Sequence, residues 1–380
     1  MRTPIQAFLA ATMALLASSG QQKALASDPQ LGPRPLLATI VDTGSAGKLD
    51  PYQARFGRSR PVIAIIGENS GTELTDYVIP FGVLAQADVA DTYTLSTRSG
   101  PLTMRPALRI QPRATIEEFD ALVPDGADYV IVPAVIKDDD PVLLAWLGSQ
   151  HAKGSSIVSI CDGALVVANS GLLRGRRATA HWATEGLRAK RYPQTHWERN
   201  VRYVADGPIV SSAGISAAIP VSIALVEAIA GHDRAAALAD KLGVADWSPA
   251  HNSDAFRPRF GVNLMSFLRT NYSNHWLHRM QHVGVPLATG IDEIALAFTA
   301  DAWSRTGRSH AMTLAVSDAP VRTLHGLAVI PDRVIGGADP VDRNLPILEA
   351  MPSAQALDGA LANIARDFGR STAFGVALDF

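Results

Sequence analysis

The chain of 380 residues has a single cysteine, Cys161. One thiol excludes an internal disulfide, so packing alone must hold the fold, even in an oxidising compartment. Beyond residue 26 nothing approaches the ~20 consecutive apolar residues that a membrane span needs. There is no basic excess: 34 Lys and Arg stand against 36 Asp and Glu, a net charge of −2. Such a surface has no electrostatic reason to bind nucleic acid. Neither a G-x-x-x-x-G-K-S/T loop nor a G-x-G-x-x-G turn after a strand is present. No nucleotide cofactor is therefore expected. His275, His278 and His282 are spaced as one face of a helix over 262–282, but no acid or cysteine adjoins them to complete a metal site.

What is present begins at the N-terminus. Met1-Arg2 precedes an apolar run, Ala7 to Ala17, and a small-x-small site, Ala24-Leu25-Ala26. Basic start, short apolar core and small residues describe a secretory signal peptide over 1–26. Its removal would leave a mature chain from Ser27 that is exported, periplasmic or extracellular, with no stable membrane insertion.

Residues 27–58, rich in Pro, Gly and polar residues, read as a surface arm. Over 59–240, continuously apolar strands alternate with helices: Val62–Ile66, helix 73–87, Asp91–Thr97, helix 116–122, Tyr129–Pro133, helix 143–151, strand 157–160, strand 209–212 and helix 221–230. This pattern predicts an α/β fold with a parallel sheet covered on both faces. Lys137-Asp-Asp-Asp140 follows a strand and precedes Pro141, where it caps a helix or lines a pocket rim. Residues 241–380 form an extension that echoes the start of the domain. Helix 291–303, strand 311–316 and Ala319-Pro-Val-Arg-Thr-Leu-His-Gly-Leu-Ala-Val-Ile-Pro331 repeat the order of helix 73–87, strand 91–97 and Gly100-Pro-Leu-Thr-Met-Arg-Pro-Ala-Leu-Arg-Ile-Gln-Pro112. We read a partial internal repeat. The second copy has no cysteine and cannot carry the same chemistry.

Cys161 falls between a β-branched run, Ile157 to Ile160, and the apolar stretch Ala164 to Ala168, with Gly163 two residues on. A reactive side chain at such a sharp strand-to-helix turn is a nucleophile elbow. The helix N-terminus there favours a thiolate.

Four ordered motifs over 60–232 together resemble the PfpI/ThiJ superfamily, of class I glutamine amidotransferase-like, flavodoxin-like fold. They are Gly71-Thr-Glu-Leu-Thr-Asp76-Tyr-Val-Ile-Pro80, Ser159-Ile-Cys161-Asp-Gly163, Leu172-Leu-Arg-Gly-Arg-Arg-Ala-Thr-Ala-His181-Trp182 and Ile209-Val-Ser-Ser-Ala-Gly214. The resemblance is greatest to the subgroup of isonitrile hydratases and the amidase-like halves of AraC-type regulators. It implies that Cys161 is a nucleophile, Asp76 the acid beside it, and His181 an assisting base. It also implies that backbone amides near Ala134, Val135, Asp162 and Gly163 stabilise developing negative charge and that Trp182 is pocket wall. Asp162 follows the cysteine where peptidase-like members have His, which removes the base a protease reading needs and opposes thiolate formation. The implied function is a cofactor-independent enzyme that hydrates or hydrolyses a small electrophile: an isonitrile, amide or reactive carbonyl. A non-catalytic periplasmic ligand-binding or redox-sensing protein is the alternative. A homodimer through sheet edges or helices near the elbow is implied as well.

Overall fold

The computed structural model describes residues 47–380 except 261, 349 and 350. The signal peptide and the first part of the arm lie outside the described residues. Among the described residues, no helix is long and apolar enough to cross a membrane.

A seven-stranded sheet forms the centre. Its strands are β1 (Val62–Gly67), β2 (Asp91–Ser96), β3 (Ala114–Thr115), β4 (Tyr129–Val132), β5 (Ser156–Ser159), β6 (Tyr203–Asp206) and β7 (Ile209–Ser212). They lie in the order β6-β7-β5-β4-β1-β2-β3. All pairings are parallel except β6 with β7. β1 and β4 are buried along their whole lengths, as strands covered on both faces must be. The covering helices include α1 (Leu74–Ala87), α2 (Ile116–Leu122), α3 (Pro141–Ala152), α4 (Gly163–Asn169), α5 (Glu185–Arg191), α6 (Ala218–Ala230) and α7 (His232–Leu242). Local chemistry sets their ends. Thr115 and Glu118 form a reciprocal capping box on α2. Asp140 caps α3 by accepting from Val142 and Leu143 N–H at 3.0 and 3.1 Å.

Residues 241–380 do not stand apart. They add β8 (Gln281–Pro286), α8 (Glu293–Ser304), β9 (Ser309–Ala315), β10 (Arg333–Val334), β11 (Arg343–Asn344), α9 (Ala356–Phe368) and α10 (Arg370–Ala377). One apolar core runs from Ile63, Leu74 and Val83 into Val283, Leu296, Trp303 and Ile364. α1 is buried on nearly every side, and so is α8. Helices apolar all round are interior helices, and these two pack on each other: a Cβ on Gly82 would come within 2.6 Å of Ile294.

The helix expected over 262–282 forms over 264–277, as Leu264–Leu268, a π turn Arg269–Ser273 and Asn274–Leu277, and stops there. His275 lies in its last turn, His278 is extended and His282 falls in β8, which pairs with β9, so the three histidines share no helix face. Among the described residues no group of three His, Cys, Asp or Glu is placed to hold a metal. The described end of the expected surface arm is mostly exposed and is tied to the domain at a few points. Leu49 is buried, Tyr52 N–H donates to Ala228 O at 2.8 Å, and Arg55 donates to Gly154 O at 2.6 Å.

Candidate active site

The chain reverses its strand order where β1 and β4 lie side by side, and in such sheets the crevice opens beyond the carboxyl ends of the strands. Cys161, Asp76 and Ala134 all follow carboxyl ends there, those of β5, β1 and β4. Cys161 has φ +56°, the left-handed region that costs a non-glycine residue roughly 1–2 kcal/mol. The strain is held in place from below. Ile160 N–H donates to Val132 O at 2.9 Å, and Gly163 N–H donates to Ile160 O at 2.8 Å. Any Cβ on Gly163 would collide with the Val132 carbonyl. Glycine is required because the helix must start directly against β4.

Asp76 is fully buried in the first turn of α1. Its Oδ2 accepts from Ala134 N–H at 3.1 Å, and its Oδ1 has no hydrogen-bond partner among the described residues. Burial first, then the Glu73 carboxylate, raise its pKa well above the usual range. Asp76 therefore keeps its proton to a higher pH than an ordinary carboxyl and is placed to give it. Cys161 is also raised, by burial and then by Asp76, Asp162 and Glu73; a hydrogen bond from Asp162 N–H works the other way. The resting sulfur is a thiol. This corrects the thiolate expected from the helix N-terminus: α4 has only seven residues, and desolvation among carboxylates outweighs its dipole.

The backbone amides expected to stabilise negative charge have partners in the resting site. Ala134 N–H serves Asp76, and Asp162 N–H serves the Cys161 sulfur; neither is an idle oxyanion donor. Val135 forms an isolated antiparallel bridge with Thr72, tying the turn after β4 to the start of α1. The Asp162 carboxylate accepts from Thr184 Oγ1 at 2.7 Å. Burial pushes it up to about 6, against the pull of Thr184 and Arg188.

His181, the expected assisting base, caps the short turn Trp182–Thr184. Its Nδ1 accepts from Ala183 N–H at 3.4 Å, and the ring bonds the Asp379 backbone. Its ring packs 3.0 Å from where a Gly214 Cβ would lie. Trp182 lies beside it, ring centroids 5.4 Å apart. Burial, then Arg305 and Arg188, push His181 down to about 4, which holds the imidazole in its neutral form, the form that can accept a proton. Arg188, buried in α5, holds the His181 carbonyl and donates to Thr184 Oγ1 at 3.2 Å.

Four charged residues join the site that sequence reasoning did not find: Glu73, Asp301, Arg305 and Asp379. Arg305 hydrogen-bonds both Glu73 and Asp301. Burial pushes Glu73 up to about 8 despite Arg305, and Asp379 up to about 6. Glu73 was visible in principle, one helical turn before Asp76. The other three come from the extension, and nothing local marks them.

Residues 62–228 match the DJ-1/PfpI family. An isonitrile hydratase of Pseudomonas putida is 30% identical over 187 residues, 48% of this chain and 77% of that protein. An HTH-type transcriptional regulator of Pseudomonas aeruginosa is 26% identical over 182 residues, 47% of this chain and 52% of the regulator. Among solved structures, a DJ-1 superfamily protein from Salmonella typhimurium aligns with TM-score 0.44 and 20% identity, over 49% of this chain and 100% of its own. With its parallel sheet, its cysteine elbow, the family match over 62–228 and the likeness to the hydratase, the chain belongs to the DJ-1/PfpI family.

Proposed function

We propose that this chain is an exported, cysteine-dependent enzyme that hydrates or hydrolyses a small electrophile, with an isonitrile as the best-fitting substrate. The observation that carries the proposal is a buried carboxyl, Asp76, beside a buried thiol, Cys161, at a strained elbow, with burial raising both. A standing thiolate would suit any acceptor. A thiol beside a carboxylic acid suits a substrate that takes a proton at the carbon the sulfur attacks, as an isonitrile does. Asp76 protonates the terminal carbon, the sulfur bonds to that carbon, and the thiol proton returns to Asp76. Water then adds to the resulting thioimidate and expels the thiol, leaving an N-substituted formamide. Cysteine and acid end as they began, and no cofactor is consumed.

The 30% identity to an isonitrile hydratase supports this reading. The match to the regulator reaches 52% of that protein, and its role is not carried over. Export rests on the basic and apolar pattern of residues 1–26; N-terminal sequencing of secreted protein should begin at Ser27. The catalytic test is turnover of a small alkyl or aryl isonitrile, followed by formamide release. Cys161→Ser and Asp76→Asn should each lose ~10²-fold or more. Full turnover by Cys161→Ser would sink the proposal. The raised thiol favours one second reading, a binding protein, which predicts saturable ligand binding without turnover.

A further inference from the structure

Two strand pairings of the extension keep the registers of the start of the domain, while β8 pairs with β9 one residue out of step with β1 and β2. In the first copy, Leu102 lies opposite Ile110 and Thr103 opposite Arg109. In the second, Val321 lies opposite Val329 and Arg322 opposite Ala328. Leu95 pairs with Ala114 and Ser96 with Thr115; Leu314 pairs with Arg333 and Ala315 with Val334. The offset between the copies is the same at every one of these positions. The sheets agree too. β10-β9-β8-β11 is a parallel four-stranded sheet that repeats the order β3-β2-β1-β4.

The two copies meet as symmetry mates do. In a two-fold interface, contact i to j is matched by contact j to i. Arg109 pairs with Ile330, Ile110 with Val329 and Gln111 with Ala328, antiparallel. At the copy's offset Ala328, Val329 and Ile330 correspond to Arg109, Ile110 and Gln111, so the pairing is centred on Ile110 and its own counterpart. The helices obey the same rule. Gly82 of α1 lies against Ile294 of α8, and Thr75 of α1 donates to Asp301 of α8 at 3.4 Å. Ile294 and Asp301 are the counterparts of Thr75 and Gly82. The counterpart of Asp76 is Ala295, and the second copy has no elbow.

We infer that residues 281–334 are a degenerate second copy of residues 62–115 that takes, within one chain, the place a second protomer would fill, and that it supplies Arg305 and Asp301 to the acid cluster of the single site. The face built from α1 and the 102–111 hairpin is closed by the chain itself. A homodimer through that face is excluded. The site depends on the second copy, since Arg305 is the cation bonded to Glu73.

The test is independent of any substrate. In a Cys161→Ser background, Ile110→Cys and Val329→Cys are introduced together and the protein is oxidised at low micromolar concentration. The expected product is an intrachain disulfide in a species of monomer mass by light scattering. Covalent dimers, or free thiols in a folded protein, would overturn the inference. Should the double variant fail to fold, hydrogen exchange on the unmodified chain decides. Protection of the 109–111 amides should match that of β1 and stay constant over a 100-fold range of protein concentration; protection that grows with concentration would overturn it.

Discussion

Asp76 accepts its one backbone hydrogen bond from Ala134, at 3.1 Å across the crevice between α1 and β4. That bond fixes which carboxyl oxygen is anchored and leaves Oδ1, buried and unpartnered among the described residues, for the chemistry. Asp76 also raises the thiol. Asp76→Asn should therefore lower the Cys161 pKa and quicken alkylation by iodoacetamide at pH 8, while turnover collapses. The two readouts move in opposite directions. An alkylation rate unchanged or slowed by Asp76→Asn would show that Asp76 does not act on the sulfur.

Cys161 at φ +56° predicts an inverted order of truncations. In helices and strands alanine is the more stabilising residue. Here Cys161→Gly should exceed Cys161→Ala in stability by ~1 kcal/mol, because only glycine escapes the left-handed penalty. Urea denaturation of the pair measures it. Alanine equal to or above glycine would mean that the elbow relaxes.

Gly163→Ala places a methyl group on the Val132 carbonyl. The obstacle is backbone, so α4 must shift, at a cost of ~3 kcal/mol or more. A thermal midpoint within a degree of the parent would contradict the packing.

The acid cluster makes stability depend on pH. Glu73, at about 8 in the fold, binds more protons folded than unfolded. Its protonated form is favoured, so stability falls as pH climbs from the ordinary carboxylate range towards 8. His181 has the opposite sign. Held near 4, it loses stability as pH drops below its ordinary value. Together they place the optimum on the mildly acidic side of neutrality. Urea midpoints rising from pH 6.5 to 8.5 would refute the Glu73 assignment, and a His181 ring proton titrating near 6.5 by NMR would refute the other.

Arg305→Met removes the cation between Glu73 and Asp301 and leaves two buried carboxyls facing each other. Breaking such a cluster on one side costs ~3–5 kcal/mol. The loss should shrink when Glu73→Gln is added, because the second change removes a buried carboxyl that has lost its partner. Additive losses would show that Arg305 acts by packing alone.

The elbow was legible because every signal for it is local: a β-branched run, a cysteine, a glycine and an apolar helix within a dozen residues. The repeat was legible for the same reason, through the shared Pro and Gly punctuation of the two hairpins. What sequence could not supply was charge brought from afar. Arg305 meets Glu73 across 232 residues, and without the cluster the helix N-terminus seemed to decide the state of the sulfur. The apolar spacing over 262–282 marked a helix that does form over 264–277; its end was missed because β9 offers Gln281 and His282 a strand's hydrogen bonds.

The long separation also orders events in time. Contacts between Arg109–Gln111 and Ala328–Ile330 carry a large loop-closure cost and belong to the slow part of folding. The elbow rests on Val132, within the same half of the chain, whereas the cation that bonds its acids comes from the extension. A chain that stops short of Arg305 holds Cys161 without that cation, so the site is complete only in the finished molecule.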